Sequence, residues 1–470
     1  MILHQRFVPG LAIASYLIGD ETTGEAAVVD PTREVDEFIR LATDNGLRIA
    51  HILETHVHAD FVSGAKELKA RLGGGPAIHA SGMGGEEWTA AYADRAVKEG
   101  DKIHLGPVRL QAVHTPGHTP EHVCWAVYHD SRSRTVPWLL FSGDFLFVGD
   151  VGRPDLLGEE AQRQLAHQLY QSLFEKLDRI PDITEILPAH GAGSLCGKAL
   201  SSRRSSTVGF ERQFTPALQR KPEEQWVRDL MAGMPPAPPY FRQMKKVNKE
   251  GPAVLGTDAP AVAPCPAREV ERRLGQKGLV VDVRSKEAFA ATHIPASINI
   301  PFGPMLPTWA GWVLPYDRPL LLVTDSPAQV AAAATHLLRV GFDNLAGALE
   351  GGMEAWETAG LPLTSLATLS AQELGRRLRQ DREEFTVLDV RTDAEWGAGH
   401  IEGARHIMLG KLPERLAEVP RNRPVALVCA TGYRGAIAAS LLRREGYWQV
   451  SNVVGGMRAW QAAGLPMTLA

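Results

Sequence analysis

The hydrophobic positions fall in short runs, and the pattern between them changes near residue 250. Before that point, residues 8–19 are apolar and lead into Ala26-Ala27-Val28-Val29-Asp30. No basic segment precedes them, so the pattern predicts a hairpin and not an export signal. Apolar runs at 49–53, 108–113, 138–141 and 184–187 each end in a polar stretch, while helical periodicity is confined to segments such as 36–45 and 160–178. Many short strands with few helices predict sheet packed on sheet, helices outside.

After residue 266 the rhythm is different. Short apolar strands (279–283, 320–323, 386–390, 425–428) alternate with helical patterns (328–339, 435–444), which predicts small α/β domains around parallel sheets. The two halves of this region are copies. Val281-Asp282-Val283-Arg284 with His293-Ile294-Pro295-Ala296 recurs as Leu388-Asp389-Val390-Arg391 with His400-Ile401-Glu402-Gly403-Ala404. Gly351-Gly352-Met353-Glu354-Ala355-Trp356 recurs as Gly455-Gly456-Met457-Arg458-Ala459-Trp460. A separation of 107 residues between Asp282 and Asp389, and 104 between Gly351 and Gly455, is that of a duplicated domain, too long for a solenoid repeat.

Two irregular stretches set the boundaries. Met234-Pro235-Pro236-Ala237-Pro238-Pro239 cannot continue a helix, and residues 251–266 read as a Pro/Ala/Gly linker. The expected domains are therefore 1–250, a linker at 251–266, 267–363 and 364–470. A chain of 470 residues suits three domains, and 44% hydrophobic with 22% charged residues excludes a disordered one. Fifty Lys and Arg against 54 Asp and Glu give a net charge of −4, with no bulk attraction to nucleic acid or an acidic membrane. No apolar run approaches the roughly 18 residues a membrane-spanning helix needs. Four dispersed cysteines (Cys124, Cys196, Cys265, Cys429) without a CxxC pair suit a reducing cytoplasm. Cys124 reads as core, and Cys265 as an accessible thiol in the linker.

The chemistry concentrates where the early strands end. Thr55-His56-Val57-His58-Ala59-Asp60, Thr115-Pro116-Gly117-His118, Ser142-Gly143-Asp144 and Pro188-Ala189-His190-Gly191 each follow an apolar run. His56 and His58, two apart, cannot share a helix face and can converge only in a loop. Four such loops at one edge of a sandwich would gather imidazoles and carboxylates around one point. In this order the motifs resemble the metallo-β-lactamase superfamily, over about residues 1–250. Its hydrolases usually carry HxHxDH and two metals, whereas Phe61 stands here after Asp60. Similarity to the persulfide dioxygenase branch implies His56, His118 and Asp144 as ligands of one Fe(II). Such a facial triad leaves positions open for substrate and O₂, with Zn as the alternative metal. His58, Asp60 and His190 would orient ligands or bind water. The branch's Gly-Arg-x-Asp segment is present as Gly152-Arg153-Pro154-Asp155, making Arg153 a candidate anchor for substrate. Cys196, six residues past His190, is a candidate to approach the metal or to sit in a small-residue turn. Tyr240 and Lys245, in and beside the basic run 242–249, are candidates to line the mouth of the pocket and meet an acidic thiol carrier.

The last copy carries a second site. Strand 425–428 ends in Cys429-Ala430-Thr431-Gly432-Tyr433-Arg434-Gly435 and then a helix. Loop N–H groups and the positive end of the helix would favour a thiolate, with Arg434 donating to an oxyanion and Gly432 letting the loop close. Ala430, Thr431, Gly432 and Tyr433 would form the oxyanion loop around the catalytic Cys429 and Arg434. The loop reproduces the C-x-x-G-x-R pattern of the rhodanese family, which it resembles. In rhodanese-like phosphatases, Cys-x5-Arg would place arginine at 435, which is glycine. The earlier copy has Thr324 for Cys429, Pro327 for Gly432 and Gln329 for Arg434, so its expected role is spacing, docking or oligomer contact.

The expected fold class is multidomain α/β: a metallo-β-lactamase αββα sandwich followed by two rhodanese-like α/β domains with parallel sheets. The resemblance implies a cytoplasmic, homo-oligomeric enzyme of sulfide detoxification that oxidises a low-molecular-weight thiol persulfide with O₂ to sulfite. Cys429 would then interconvert sulfite or persulfide and thiosulfate. The alternative is a glyoxalase II-type zinc thioester hydrolase fused to a sulfurtransferase.

Overall fold

The computed structural model describes residues 1–156, 158–257 and 261–469. Residues 258–260 of the expected linker lie outside the described residues. The chain forms two compact units, the first of residues 1–260 with 338–341 and the second of 261–337 and 342–470.

The first unit holds two six-stranded sheets. One runs β1 (Ile2–Val8), β2 (Ile13–Asp20), β3 (Glu25–Val29), β4 (Arg48–Leu53), β5 (Ala77–Ser81) and β6 (Arg95–Val97), in that spatial order. The other comprises β7 (Lys102–Leu105), β8 (Val108–His114), β9 (Val123–His129), β10 (Leu139–Gly143), β11 (Glu185–Pro188) and β12 (Ser206–Thr207), ordered from β12 to β7. The two-residue period of a strand explains the layers. Ala14, Tyr16 and Ile18 of β2 share a core with Leu110, Trp125, Val127 and Phe141 of the other sheet. Leu17, from the opposite face of β2, packs with Phe38 and Ala42 of helix Asp36–Asp44. Cys124, Ala126, Leu140 and Ile186 face Leu169, Leu173 and Trp226 on outer helices. The architecture is helix, sheet, sheet, helix. The helix expected over 160–178 runs Glu159–Gln171, then widens to a π-turn at Ser172–Lys176.

The second unit contains two five-stranded parallel sheets. The first is built of β13 (Pro264–Cys265), β14 (Leu279–Asp282), β15 (Ile298–Asn299), β16 (Leu320–Val323) and β17 (Leu345–Leu349), in the spatial order 13-17-16-14-15. The second, of β18 (Ala367–Ser370), β19 (Thr386–Asp389), β20 (Arg405–His406), β21 (Val425–Val428) and β22 (Val450–Val454), has the order 18-22-21-19-20. The connectivity is the same, as the repeat predicts. Cys265 corrects an expectation: it is not accessible but buried, because β13 pairs with β17 and draws the end of the expected linker into the sheet.

Candidate metal centre and sulfurtransferase loop

Each candidate ligand sits where a strand stops. His56 follows β4, His118 follows β8, Asp144 directly follows β10 and His190 follows β11. These ends meet at one edge of the sandwich. Nε2 of His118 and of His56 lie 3.4 and 3.8 Å from Asp144 Oδ2, and His190 Nε2 lies 3.5 Å from Asp144 Oδ1 and 3.4 Å from Asp60 Oδ2. The ligand atoms of His56, His118 and Asp144 fall within 4.8 Å of one another, as do those of Asp60, His190 and Cys196.

The surroundings aim these atoms. His118 Nδ1 faces the Arg153 carbonyl at 2.9 Å, and His56 Nδ1 faces Thr55 Oγ1 at 2.9 Å. Asp30 fixes Thr55 in turn, accepting its N–H at 2.7 Å and its hydroxyl at 2.8 Å. The Asp144 N–H donates to His122 Nε2 at 3.1 Å. Gly152 is required because a Cβ there would sit 1.8 Å from the Asp144 carbonyl oxygen. Among the buried atoms left unpartnered at this edge are Nε2 of the candidate ligands His56 and His118, both carboxylate oxygens of Asp144, and, beside them, Nε2 of His190 and both carboxylate oxygens of Asp60. Orphaned buried atoms of this kind are costly unless a cation takes them, so the residues fit a metal. Burial and the neighbouring imidazoles hold His56 well below the usual histidine range, and burial pushes His118 down to about 3. Both are neutral, as ligands must be. Burial and the Asp60 carboxylate push Asp144 up to about 6.

His58 is engaged elsewhere. Its Nε2 lies 3.1 Å from Asp30 Oδ1 and 3.4 Å from Glu54 Oε2, all three residues buried. Burial alone would depress its pKa, but the two carboxylates hold it well above the usual value. Phe61 packs against its ring at 4.4 Å between centroids. Cys196 is brought to the centre, and burial together with Asp60 and Asp144 pushes its thiol well above the ordinary range.

Two substrate expectations are corrected. Arg153 is fully buried and occupied: Nε and Nη2 donate to Asp155 at 2.6 and 2.7 Å, Nη1 to the Leu195 carbonyl and Nη2 to that of Pro235. Closing the carbonyls of two loops over its fork leaves no free face for substrate. Tyr240 is buried against Phe241 and is not among the residues lining the nearby cavity. Lys245 does line it. This cavity of about 710 Å³ is bounded by Glu87, Trp88, Pro120, Gln164, Arg242 and Lys245 among others. Pro120 belongs to the loop after His118, and Trp88 also borders a small hollow lined by His56 and Glu121. Lys245 Nζ lies 4.8 Å from the Trp88 ring centre, and burial lowers its pKa to about 8. Burial raises Glu121, which accepts the Val57 N–H at 2.8 Å, to about 7.

In the second unit, Cys429 leaves β21 and turns into the helix Tyr433–Arg444. Its Sγ accepts N–H groups of Gly432 at 3.1 Å and Gly435 at 3.4 Å, and Gly432 adopts a φ of +85°. The Cys429 carbonyl accepts the Met457 N–H at 2.7 Å, which pins the loop. Arg434 forms a fork with Glu395 at 2.6 and 2.7 Å. Burial works against it, but Arg434 and the Thr392 N–H hold Glu395 down to about 2. The counterpart loop is closed on itself: Thr324 donates to the Ser326 carbonyl at 2.9 Å, and the Asp325 N–H to Gln329 Oε1 at 3.0 Å.

Comparison with known proteins agrees with this geometry. Residues 8–190 match the metallo-beta-lactamase superfamily, and residues 266–359 and 370–463 each match the rhodanese-like domain. The mitochondrial persulfide dioxygenase ETHE1 of Bos taurus is 30% identical over 266 residues, 56% of this chain and 89% of that protein. A hydroxyacylglutathione hydrolase of Polaromonas is 35% identical over 177 residues, 37% of this chain and 61% of that one. A metallo-beta-lactamase crystal structure from Staphylococcus aureus superposes with a TM-score of 0.67 at 36% identity, covering 74% of this chain and 98% of its own. The chain belongs to the metallo-beta-lactamase superfamily, in the family of the ETHE1 persulfide dioxygenases, and carries two rhodanese-like domains. Among the described residues, no helix is long and apolar enough to cross a membrane.

Proposed function

We propose that the first unit oxidises a low-molecular-weight thiol persulfide with O₂, RSSH + O₂ + H₂O giving RSH and sulfurous acid, at one Fe(II) held by His56, His118 and Asp144. The observation that carries this reading is the buried, orphaned cluster of two imidazoles and one carboxylate. When bound, iron there supplies redox chemistry with open positions for O₂ and the persulfide sulfur. The chain's own residues do the rest. The Arg153 carbonyl and Thr55 fix the ring orientations of His118 and His56, and Asp30 with Glu54 occupy His58. Lys245 and Arg242 place two cations on the wall of the cavity for an acidic thiol carrier, while its 710 Å³ admits a molecule of drug size or larger.

The second site completes the sequence. Cys429 carries sulfane sulfur as Cys–S–S⁻, and sulfite removes it: Cys–S–S⁻ + SO₃²⁻ gives Cys–S⁻ + S₂O₃²⁻. The Gly432 and Gly435 N–H groups donate to Cys429 Sγ and hold it in place, and Arg434 binds the sulfonate end.

Metal analysis with oxygen-electrode assays tests the first half. About one iron per chain is expected, and His118→Ala or Asp144→Ala should lose both iron and O₂ uptake while cyanide-dependent sulfurtransfer persists. Normal iron in both variants rejects the ligand assignment. A zinc-loaded chain that hydrolyses thioesters would favour the hydrolase reading. Phe61→His should raise affinity for a second metal by adding an imidazole beside Asp60. Lys245 is cationic below about pH 8, so KM for an acidic persulfide should rise as pH passes that value. Lys245→Met should flatten the profile.

A further inference from the structure

The middle domain has no thiolate in its loop, yet it touches the working loop of its neighbour within the same compact unit. Tyr433, the residue between Gly432 and Arg434, donates its hydroxyl to the Pro301 carbonyl at 3.1 Å. Two turns along the same helix, Ser440 accepts the Asn299 N–H at 3.1 Å, both residues at most 1% exposed. A third contact reaches the start of the segment Leu409–Glu414, whose first N–H donates to the Val390 carbonyl at 3.1 Å. There the Trp312 ring lies so close on Gly410 that a Cβ would come within 2.3 Å of it. Trp312 belongs to helix Leu306–Val313, buried throughout its length.

The duplication supplies a control for this contact. Ile298 and Asn299 of β15 are buried beneath the neighbour's helix, whereas their counterparts in β20, Arg405 and His406, are exposed and half-buried. Covering this edge is therefore not a property of the fold. It belongs to the pairing of this middle domain with this active helix. The helix so held is the one whose N-terminus faces Cys429 and whose second residue is Arg434.

We propose that the middle domain is the positioning partner of the sulfurtransferase loop: through Pro301 and Asn299 it fixes the helix beginning at Tyr433, and through Trp312 the segment Leu409–Glu414 packed beside that helix, and so the orientation in which Arg434 and the loop N–H groups meet an anionic sulfur donor. This rests on the reading of Cys429 as the sulfur carrier. Tyr433 and Ser440 are positioning residues here, acting through Arg434 and the helix. The donor half-reaction, which binds thiosulfate, depends on that orientation. The release half-reaction, in which cyanide attacks a Cys429 persulfide already formed, brings no sulfonate to Arg434.

The test uses the full-length chain with thiosulfate and cyanide. Tyr433→Phe removes one donor and keeps the ring, and Gly410→Ala wedges the contact at a residue outside the loop. Both should raise KM for thiosulfate about fivefold, for Tyr433→Phe the effect of one lost hydrogen bond, and Gly410→Ala should leave the single-turnover rate of cyanide attack unchanged. Should Gly410→Ala fail to fold, Ser440→Ala removes the remote acceptor instead, with the same expectation. An unchanged KM in the remote variant overturns the proposal, even if Tyr433→Phe is impaired, because Tyr433 then acts on the donor directly. Parallel loss of both half-reactions also overturns it, showing mere destabilisation. Failure of the underlying reading would look different: the unaltered chain would carry no sulfane sulfur on Cys429, and the proposal would fall with it.

Discussion

The two rhodanese-like domains share a scaffold and differ in what stands at one strand end. Each sheet has the same strand order. Each carries a buried Asp–Arg pair, Asp282–Arg284 and Asp389–Arg391, with Nη2 to Oδ2 at 2.6 Å in both. Each ends in a tryptophan whose indole N–H donates to a proline carbonyl, Trp356 to Pro362 and Trp460 to Pro466. The difference is local: Cys429, Gly432, Arg434 and Glu395 in one, and Thr324, Pro327, Gln329 and Ala288 at the corresponding positions of the other. All four differ between the copies. The lesson is that the Asp–Arg pair and the tryptophan belong to the shared scaffold, while the chemistry proposed for the third domain rests on the loop and on the carboxylate that holds its arginine.

Substitutions that convert one loop toward the other sharpen this contrast. Cys429→Ser should abolish thiosulfate:cyanide sulfurtransfer, since a hydroxyl is barely ionised at neutral pH and forms no persulfide. O₂ uptake should persist, with free sulfite as product. Arg434→Gln, which copies Gln329, removes the charged donors and should lower kcat/KM for thiosulfate by about 10- to 100-fold in steady-state assays. Glu395→Ala copies Ala288 and frees Arg434 from its fork, for an expected severalfold rise in KM.

A smaller effect is visible only in acid. Glu395 sits at about 2, below its usual 4.5, so its pairing stabilises the third domain above about pH 4.5 and is lost as pH falls toward 2. The pair is partly exposed, so the contribution is modest. Glu395→Gln should flatten the acid limb of that domain's unfolding curve and leave the middle domain's unchanged. Thr324→Cys should yield no activity at all, because Gln329 brings no charge and Pro327 cannot adopt the positive φ of Gly432.

Much of this could be read from the sequence because the key residues are contiguous. The loop from Cys429 to Gly435 and the strand-end motifs of the metal centre each lie in a few consecutive positions, and the repeat exposes the altered twin. Partners set by tertiary pairing could not be read. Asp30 and Glu54 flank His58 because β3 pairs with β4 and brings Val29 opposite Leu53, so that the two strands end side by side. The Val28-Val29-Asp30 end resembles the strand end before Asp144, and was the available signal. His122 and Glu121 lie in the same loop as His118, but only the fold aims them at Asp144 and Val57. Arg153 was misread because its neighbour Asp155 is visible in sequence and the carbonyls of Leu195 and Pro235 are not. Glu395 had a signal: Thr392-Asp393-Ala394-Glu395 is a capping-box pattern, and the box forms.

The central claim, that one of the two rhodanese-like domains handles sulfur, has a direct test. The full-length chain is incubated with thiosulfate, digested without reductant, and each domain's peptides are weighed by mass spectrometry. An adduct of about 32 daltons, one sulfur atom on a cysteine thiolate, is expected on the peptide bearing Cys429 and on no peptide of the middle domain. A stable adduct on the middle domain, or none on Cys429, would contradict the claim.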